Sequence, residues 1–412
     1  MASTRRTFLQ AAALGTAGTL LGSESVLAGT PSVRHGALRS VQELGDRFDP
    51  WIEVEADALA HNVAEVRRLS ADRPILAVVK NNAYGLDVAT AAALLEPMPE
   101  VVGFAVVKAE AAIALREAGV WKPIFLMALF SEAMAPELAR HGIVPCLYSA
   151  DALRLIELMA RATGAPIDAQ VYLDTGMSRM GIPYHKALPW IESVVGTGMA
   201  RIGGVFTGLT EDPDFDREQL SRFLSVTGQA ADAGFSLGAR HVASSGAVFE
   251  LSESHLDMVR PGMALYGGYP NDPVLQRDVA SLRSTVRLKA RVVRVERLRS
   301  GDGVSYGRNY VAERPTWVAT LPVGHTDGYP RRAVEGGRVL IGARTYPVIG
   351  AVSASHTIIE VGAEETVAVG DVATMVGPDV PEIDPNRLSA ETGVSIYDIF
   401  MHLNPGLPRV VV

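Results

Sequence analysis

The stretch Ala77–Gly85 reads AVVKNNAYG, and the same AVVK recurs at Ala105–Lys108 ahead of AEAAIALREAG. Each is a short apolar run that ends in a lysine, the pattern of a buried strand carrying an amine at its tip. A lysine in apolar surroundings has a lowered pKa, because desolvation opposes the ammonium form, and the neutral amine can condense with an aldehyde. The residues after each lysine separate the two. Lys108 passes at once into a helical pattern and can simply mark a helix start. Lys80 is followed by NNAYG, turn formers and a glycine, a loop able to bend around a ligand. The chain has five lysines, at 80, 108, 122, 186 and 289. Lys122 opens a strand-like run, Lys186 lies in a polar loop and Lys289 sits in mid-strand, so Lys80 is the strongest candidate for a reactive amine. Taken alone, a lysine snorkelling from a strand end into water fits the stretch equally well. Cys146, the single cysteine, lies in the apolar GIVPCLYS with no activating group beside it. A buried thiol is expected there rather than a nucleophile.

The elements that must position these groups have a rhythm. From residue 51 to about 270, apolar strand-like runs alternate with helical segments: ILAVVK, VVGFAVV, PIFLMALF, IVPCLYS, DAQVYLD and IGGVFTG, then ARHVASS and MVRPGMALYG with GAVFELSES between them. Eight strands with intervening helices predict an α/β fold, a (β/α)8 TIM-like barrel over 49–278, with an open doubly wound sheet as the structural alternative. Working groups in such a barrel sit at the C-terminal ends of strands, where both Lys80 and Lys108 fall. Past residue 280 the texture turns to alternating apolar and polar residues with Gly and Pro punctuation, predicting a C-terminal all-β domain over 279–412. WIEVE, at 51–55, precedes the first helix and is open to joining that second domain.

The chain has 412 residues, 48% hydrophobic and 20% charged, with a net charge of −8. That describes a globular protein with ample core, and the lack of a basic block argues against nucleic acid as a partner. Residues 1–28 carry a basic start, a short apolar run and small residues near Ala28, the pattern of a secretory signal peptide. Arg5 and Arg6, followed by Phe8 and Leu9, resemble a twin-arginine signal. The expected location is therefore periplasmic or secreted, with 29–48 a linker and no membrane association beyond export.

VVKNNAYG does not stand alone. LDTGMSRMG (Leu173–Gly181), HVASSGA (His241–Ala247), HLDMVRPGMALYG (His255–Gly267), GVSYGRNY (Gly303–Tyr310) and LPVGHTDGYPRR (Leu321–Arg332) come after it in order. Together they resemble the alanine racemase family and its exported, broad-specificity relatives, over about residues 50–412. The resemblance implies pyridoxal 5'-phosphate carried on Lys80. It implies a phosphate site of Tyr84, Ser245, the backbone N–H groups near Gly262 and Met263, and Tyr397. Arg260 would face the cofactor's ring nitrogen, where an arginine can only donate, and His241 would brace it. Arg179 would lie near the cofactor's phenolic oxygen and the substrate carboxylate. Racemisation takes a proton from one face of Cα and returns one to the other, and one base per face is the simplest arrangement. The resemblance assigns these roles to Lys80 and Tyr306, with Tyr306 reaching the site of the other subunit in a homodimer with shared active sites.

Five positions at four places depart from the family pattern. Gly208 stands where a histidine normally stacks on the cofactor ring. His325 replaces a tyrosine that lines the substrate's way in. Ala354 and Ser355 replace a methionine–aspartate pair, which should widen the pocket while leaving a backbone N–H for the carboxylate. Tyr172 replaces a lysine that is carbamylated in some members and supports Arg179. Two readings are open. One is a racemase of a small or medium amino acid, alanine or broader. The other is a pyridoxal-phosphate protein of diverged activity, lyase or transaminase-like, or a non-catalytic binder. Retention of both proposed bases and of Arg260 favours the first.

Overall fold

The computed structural model describes residues 41–412 except 272. The expected signal peptide, and the linker as far as residue 40, lie outside the described residues. Seven parallel strands form a curled sheet in the order Ile75–Val78, Val101–Val106, Ile124–Leu126, Ile143–Leu147, Ile167–Asp174, Ala200–Phe206 and Ala239–His241. Helices such as Ala56–Leu69, Ala109–Glu117, Ala150–Thr163 and Pro213–Asp232 separate them. The first four strands, short and mainly apolar, suit a parallel sheet covered on both faces.

The eighth position is filled differently from the sequence expectation. MVRPGMALYG supplies only a parallel bridge from Val259 to Ile75. The Leu76 and Val78 N–H groups donate to Val259 O and Pro261 O, each at 2.9 Å, which closes the barrel. Pro261 has no N–H to continue a ladder, and the chain turns into the 3-10 segment Met263–Tyr266. GAVFELSES, left unassigned by its pattern, is helical over Ser245–Glu250. A short apolar run does not by itself separate a buried helix from a strand.

The second sheet has nine strands, mostly antiparallel. Trp51–Val54 belongs to it, pairing antiparallel with Val286–Arg291 and parallel with Arg409–Val411. The first and last strands of the described residues thus share one sheet, and Lys289 Nζ pairs with Glu53 at 2.7 Å. Two short helices, Pro385–Thr392 and Ile396–Met401, lead from this sheet toward the barrel mouth. One large apolar core runs through both domains, with two small clusters beside it. Among the described residues, no helix is long and apolar enough to cross a membrane.

Candidate active site

Lys80 does not open a loose loop. Asn81, Asn82, Ala83 and Tyr84 have φ of 52°, 57°, 51° and 53°, one turn of left-handed helix. That conformation costs about 1–2 kcal/mol for each non-glycine residue, so its neighbours must hold it. Gly85 continues it at φ 89°. Asn82 Oδ1 accepts from Val88 N–H at 3.0 Å, and Asp87 caps the following helix through Thr90 N–H, also at 3.0 Å. The Tyr84 ring stacks on Tyr266 at 4.7 Å, and Arg409 Nη2 donates to Gly85 O at 2.9 Å. The turn aims Lys80 and Tyr84 into a cavity of about 450 Å³ lined also by Tyr172, Arg179, Gly208, Ser245, Arg260, Gly262, Met263 and Tyr397. The structure therefore gathers most of the predicted site in one place.

At one end of this cavity, Ser245 Oγ accepts from the N–H groups of Gly262 at 2.9 Å and Ala264 at 3.1 Å. The Tyr84 hydroxyl lies directly against Gly262, where a Cβ would stand 2.1 Å from it. The Tyr397 ring is 6.5 Å from that of Tyr84. Burial raises the pKa of both tyrosines, so both are neutral donors. Hydroxyls gathered around a glycine that must stay bare, with Ser245 Oγ held in place by two backbone amides, make a cradle for a dianion. The donor set fits the phosphate of pyridoxal phosphate.

Burial, then the charges of Arg179 and Arg260, lower the Lys80 pKa. The amine thus sheds its proton more readily than a surface lysine. Arg260 is 8% exposed and donates Nη1 to His241 Nδ1 at 2.9 Å and to His241 O at 3.0 Å. Its Nη2 donates to Thr207 O at 2.9 Å. A guanidinium only donates, so Nδ1 of His241 is the acceptor and its proton sits on Nε2, which gives it to Gln170 Oε1 at 2.8 Å. Burial, then Arg260, pushes the His241 pKa well down, consistent with this neutral tautomer. Burial brings Arg260 down to about 10, still protonated at neutral pH. His241 lies behind Arg260 and does not line the cavity.

Three more predicted residues stand outside their own chain's cavity. Tyr306 is 77% exposed, on the turn between Gly303–Val304 and Tyr310–Val311. Ser305, at φ 60°, ties that turn to the neighbouring loop through Oγ to Ala351 O at 3.2 Å. That loop continues to Ala354, whose carbonyl accepts from Thr326 N–H at 3.1 Å, while His325 N–H donates to Ser353 O at 3.0 Å. Tyr306, His325 and Ala354 therefore sit on linked loops of the β domain, and Arg331 donates to His325 Nε2 at 2.7 Å.

Two residues went unnoticed in the sequence. Glu211 lines the cavity mouth, its carboxyl pKa raised by burial and then by Asp216. An acid five residues past a strand end was a usable signal. Arg409, 324 positions away from Gly85, carried none. Cys146 is buried, and burial raises its thiol pKa well above the usual value.

Comparison with known proteins agrees with this geometry. The alanine racemase N-terminal domain family matches residues 54–270 and the C-terminal domain family matches 285–411. The chain is 32% identical to an alanine racemase of Carboxydothermus hydrogenoformans, covering 88% of this chain and 99% of that one. It is 31% identical to an alanine racemase of Desulforamulus reducens, covering 88% and 98%. Among solved structures it is similar to the alanine racemase of D-cycloserine-producing Streptomyces lavendulae, with TM-score 0.82, 27% identity and coverage of 89% and 97%. It is also similar to a histidine racemase of Leuconostoc mesenteroides, with TM-score 0.78, 25% identity and coverage of 88% and 98%. With both domains matched, and a lysine, a buried arginine and a set of hydroxyl donors gathered in one cavity, the chain belongs to the alanine racemase family of pyridoxal-phosphate-dependent amino-acid racemases.

Proposed function

We propose that this racemase acts on alanine and on other small or medium amino acids, as a homodimer whose sites are shared, and that it works outside the cytoplasm. The observation that carries the reading is the division of the site: Lys80 lies in the cavity, whereas Tyr306 is 77% exposed on a face of the β domain. A second copy of the chain is what would bring such a tyrosine to this cavity, with His325 and Ala354 beside it. The twin-arginine segment around Arg5 and Arg6 supports export. The histidine racemase among the similar structures supports a range of substrates wider than alanine.

Tyr84, Ser245, the Gly262 and Met263 amides and Tyr397 would hold the phosphate, and Lys80 would hold the aldehyde end of the cofactor. When bound, pyridoxal phosphate supplies the electron sink that makes the Cα proton of an amino acid removable. Arg179 orients the substrate carboxylate. The released Lys80 amine accepts the proton from one face of Cα and becomes ammonium. The Tyr306 hydroxyl of a second copy delivers a proton to the opposite face and becomes phenolate. The reverse direction exchanges the two roles. Arg260, fixed by three hydrogen bonds, could only donate to the ring nitrogen of a bound cofactor, which would favour return of the proton at Cα over transamination.

The test is direct. Purified protein should be yellow, and borohydride should fix the cofactor to Lys80. In heavy water, both enantiomers of alanine should gain deuterium at Cα, with serine, lysine and arginine defining the range. A protein that stays colourless with added cofactor sinks the reading. Yellow protein that releases pyruvate or pyridoxamine phosphate instead supports the lyase or transaminase alternative.

A further inference from the structure

The closing step of the barrel is irregular beside the phosphate cradle. Leu76 N–H donates to Val259 O and Val78 N–H to Pro261 O, each at 2.9 Å, so the parallel ladder advances two residues at a time. In such a ladder, a residue's carbonyl takes the N–H two positions beyond the carbonyl that its own N–H reaches. For Leu76 that position is Pro261, which has no N–H. For Val78 it is Met263, and Met263 does not make the bond. The chain has already turned into the 3-10 segment Met263–Tyr266, and Val78 O accepts instead from the Tyr266 hydroxyl, at 3.0 Å. Among the described residues, the Met263 N–H makes no hydrogen bond. Tyr266 is fixed in this pose. It is fully buried, and its ring stacks on that of Tyr84 at 4.7 Å. Its carbonyl accepts from Thr285 N–H at 3.2 Å and from Thr285 Oγ1 at 3.1 Å, and the adjacent Leu265 O accepts from Asn62 Nδ2 at 3.0 Å. Burial raises the phenol's pKa, so it is a donor at neutral pH.

We propose that Tyr266 is a positioning residue for the cofactor's phosphate: its hydroxyl stands in for the Met263 N–H on the strand carbonyl of Val78, and so leaves that amide to the anion. The proposal rests on the racemase reading, because that reading brings a phosphate here. The chemistry is an exchange of donors. A buried strand carbonyl has to be paired, and Met263 carries the backbone donor in register with Val78 O. Engaged there, that amide would be lost to the cradle, whose Gly262 and Ala264 amides already donate to Ser245 Oγ. The phenol reaches the carbonyl from the far end of the same 3-10 turn and takes no donor from the cradle. Its ring meanwhile packs on Tyr84, whose hydroxyl lies against Gly262, so one side chain supports two members of the cradle.

The test uses the full chain, with and without cofactor. Tyr266→Phe keeps the ring and removes the donor, whereas Tyr266→p-aminophenylalanine keeps both. The readouts are the dissociation constants of pyridoxal phosphate, of pyridoxal, which lacks the phosphate, and of inorganic phosphate, together with the melting temperature. One hydrogen bond to a charged group predicts that Tyr266→Phe weakens pyridoxal phosphate and inorganic phosphate about tenfold, with pyridoxal changed less than about twofold. The p-amino variant should restore both phosphate constants to the wild-type values. A further readout needs no variant at position 266. In wild-type protein freed of cofactor and labelled with heavy-nitrogen methionine, the Met263 N–H resonance, assigned through Met263→Leu, should move downfield as inorganic phosphate is added. Equal weakening of pyridoxal phosphate and pyridoxal overturns the proposal, as does a lowered melting temperature with phosphate binding unchanged. So does a p-amino variant that fails to restore binding, or a Met263 resonance indifferent to phosphate. All of these leave the racemase reading standing on a yellow, active wild type. A wild type that stays colourless with added cofactor sinks that reading and takes this inference with it.

Discussion

Single atoms decide the affinity for the cofactor. Gly262 must stay bare, because a Cβ there would stand 2.1 Å from the Tyr84 hydroxyl. Gly262→Ala should therefore displace Tyr84 and abolish retention of pyridoxal phosphate through gel filtration, while the protein stays folded by circular dichroism. His241 gives a second prediction, with its sign fixed by linkage. It is buried and held neutral, its pKa pushed well below the ordinary value. Below about pH 6.5 the unfolded chain takes up a proton that the folded chain refuses, so stability is full above that pH and is lost as pH falls toward the folded pKa. Each unit of pH in that window should cost up to about 1.4 kcal/mol from this group. Urea midpoints should thus fall from pH 7 to pH 5, and the fall should be shallower in His241→Gln. Burial also lowers the pKa of His255, which adds to the fall in both proteins and leaves the difference to His241.

Among the elements, the left-handed turn after Lys80 depends most on distant help. Its four non-glycine residues are strained, and the carbonyl of Gly85 at its end is held by Arg409 from the last strand of the chain. Arg409 is 5% exposed and also donates to Asn404 O at 2.8 Å and Leu407 O at 2.6 Å. Arg409→Met removes all three bonds and leaves buried carbonyls unpaired, which should cost about 3 kcal/mol or more. The loss should show in chemical denaturation, together with weaker binding of pyridoxal phosphate, because the turn that aims Lys80 and Tyr84 loses its anchor. Normal cofactor affinity in that variant would mean that the turn stands without the strand.

For the whole molecule, the question is whether one chain contains a complete site. Lys80 and Tyr306 lie on different domains, and only Lys80 lines the cavity. If Tyr306 works in a second copy, two inactive proteins should repair each other. In a dimer of one Lys80→Ala chain and one Tyr306→Phe chain, one site has lost both groups and the other has kept both. Remixed in equal amounts after dissociation, the two should recover about a quarter of wild-type activity, since half the dimers are mixed and each has one good site. Recovery of none would place both groups in the same chain's site. Wild-type activity per chain should also fall on dilution, in step with the monomer fraction seen by analytical ultracentrifugation.

The sequence alone determined what local patterning can carry. Short apolar runs alternating with helical segments gave the barrel, alternation of apolar and polar residues gave the β domain, and spaced motifs gave Lys80, Tyr84, Ser245 and Arg260. These are legible because strand and helix periodicity, and the residue types a reaction needs, are written within a few consecutive positions. Only the tertiary structure decided that the NNAYG segment is a strained left-handed turn, that the eighth barrel strand is little more than a bridge at Val259, and that WIEVE joins the far sheet. The grip of Arg409 on Gly85 and the reach of the Tyr266 hydroxyl to Val78 O were likewise invisible, because each joins positions far apart in the chain whose meeting no local pattern encodes. Strain, closure and fit are properties of surroundings, and surroundings exist only once the chain has folded.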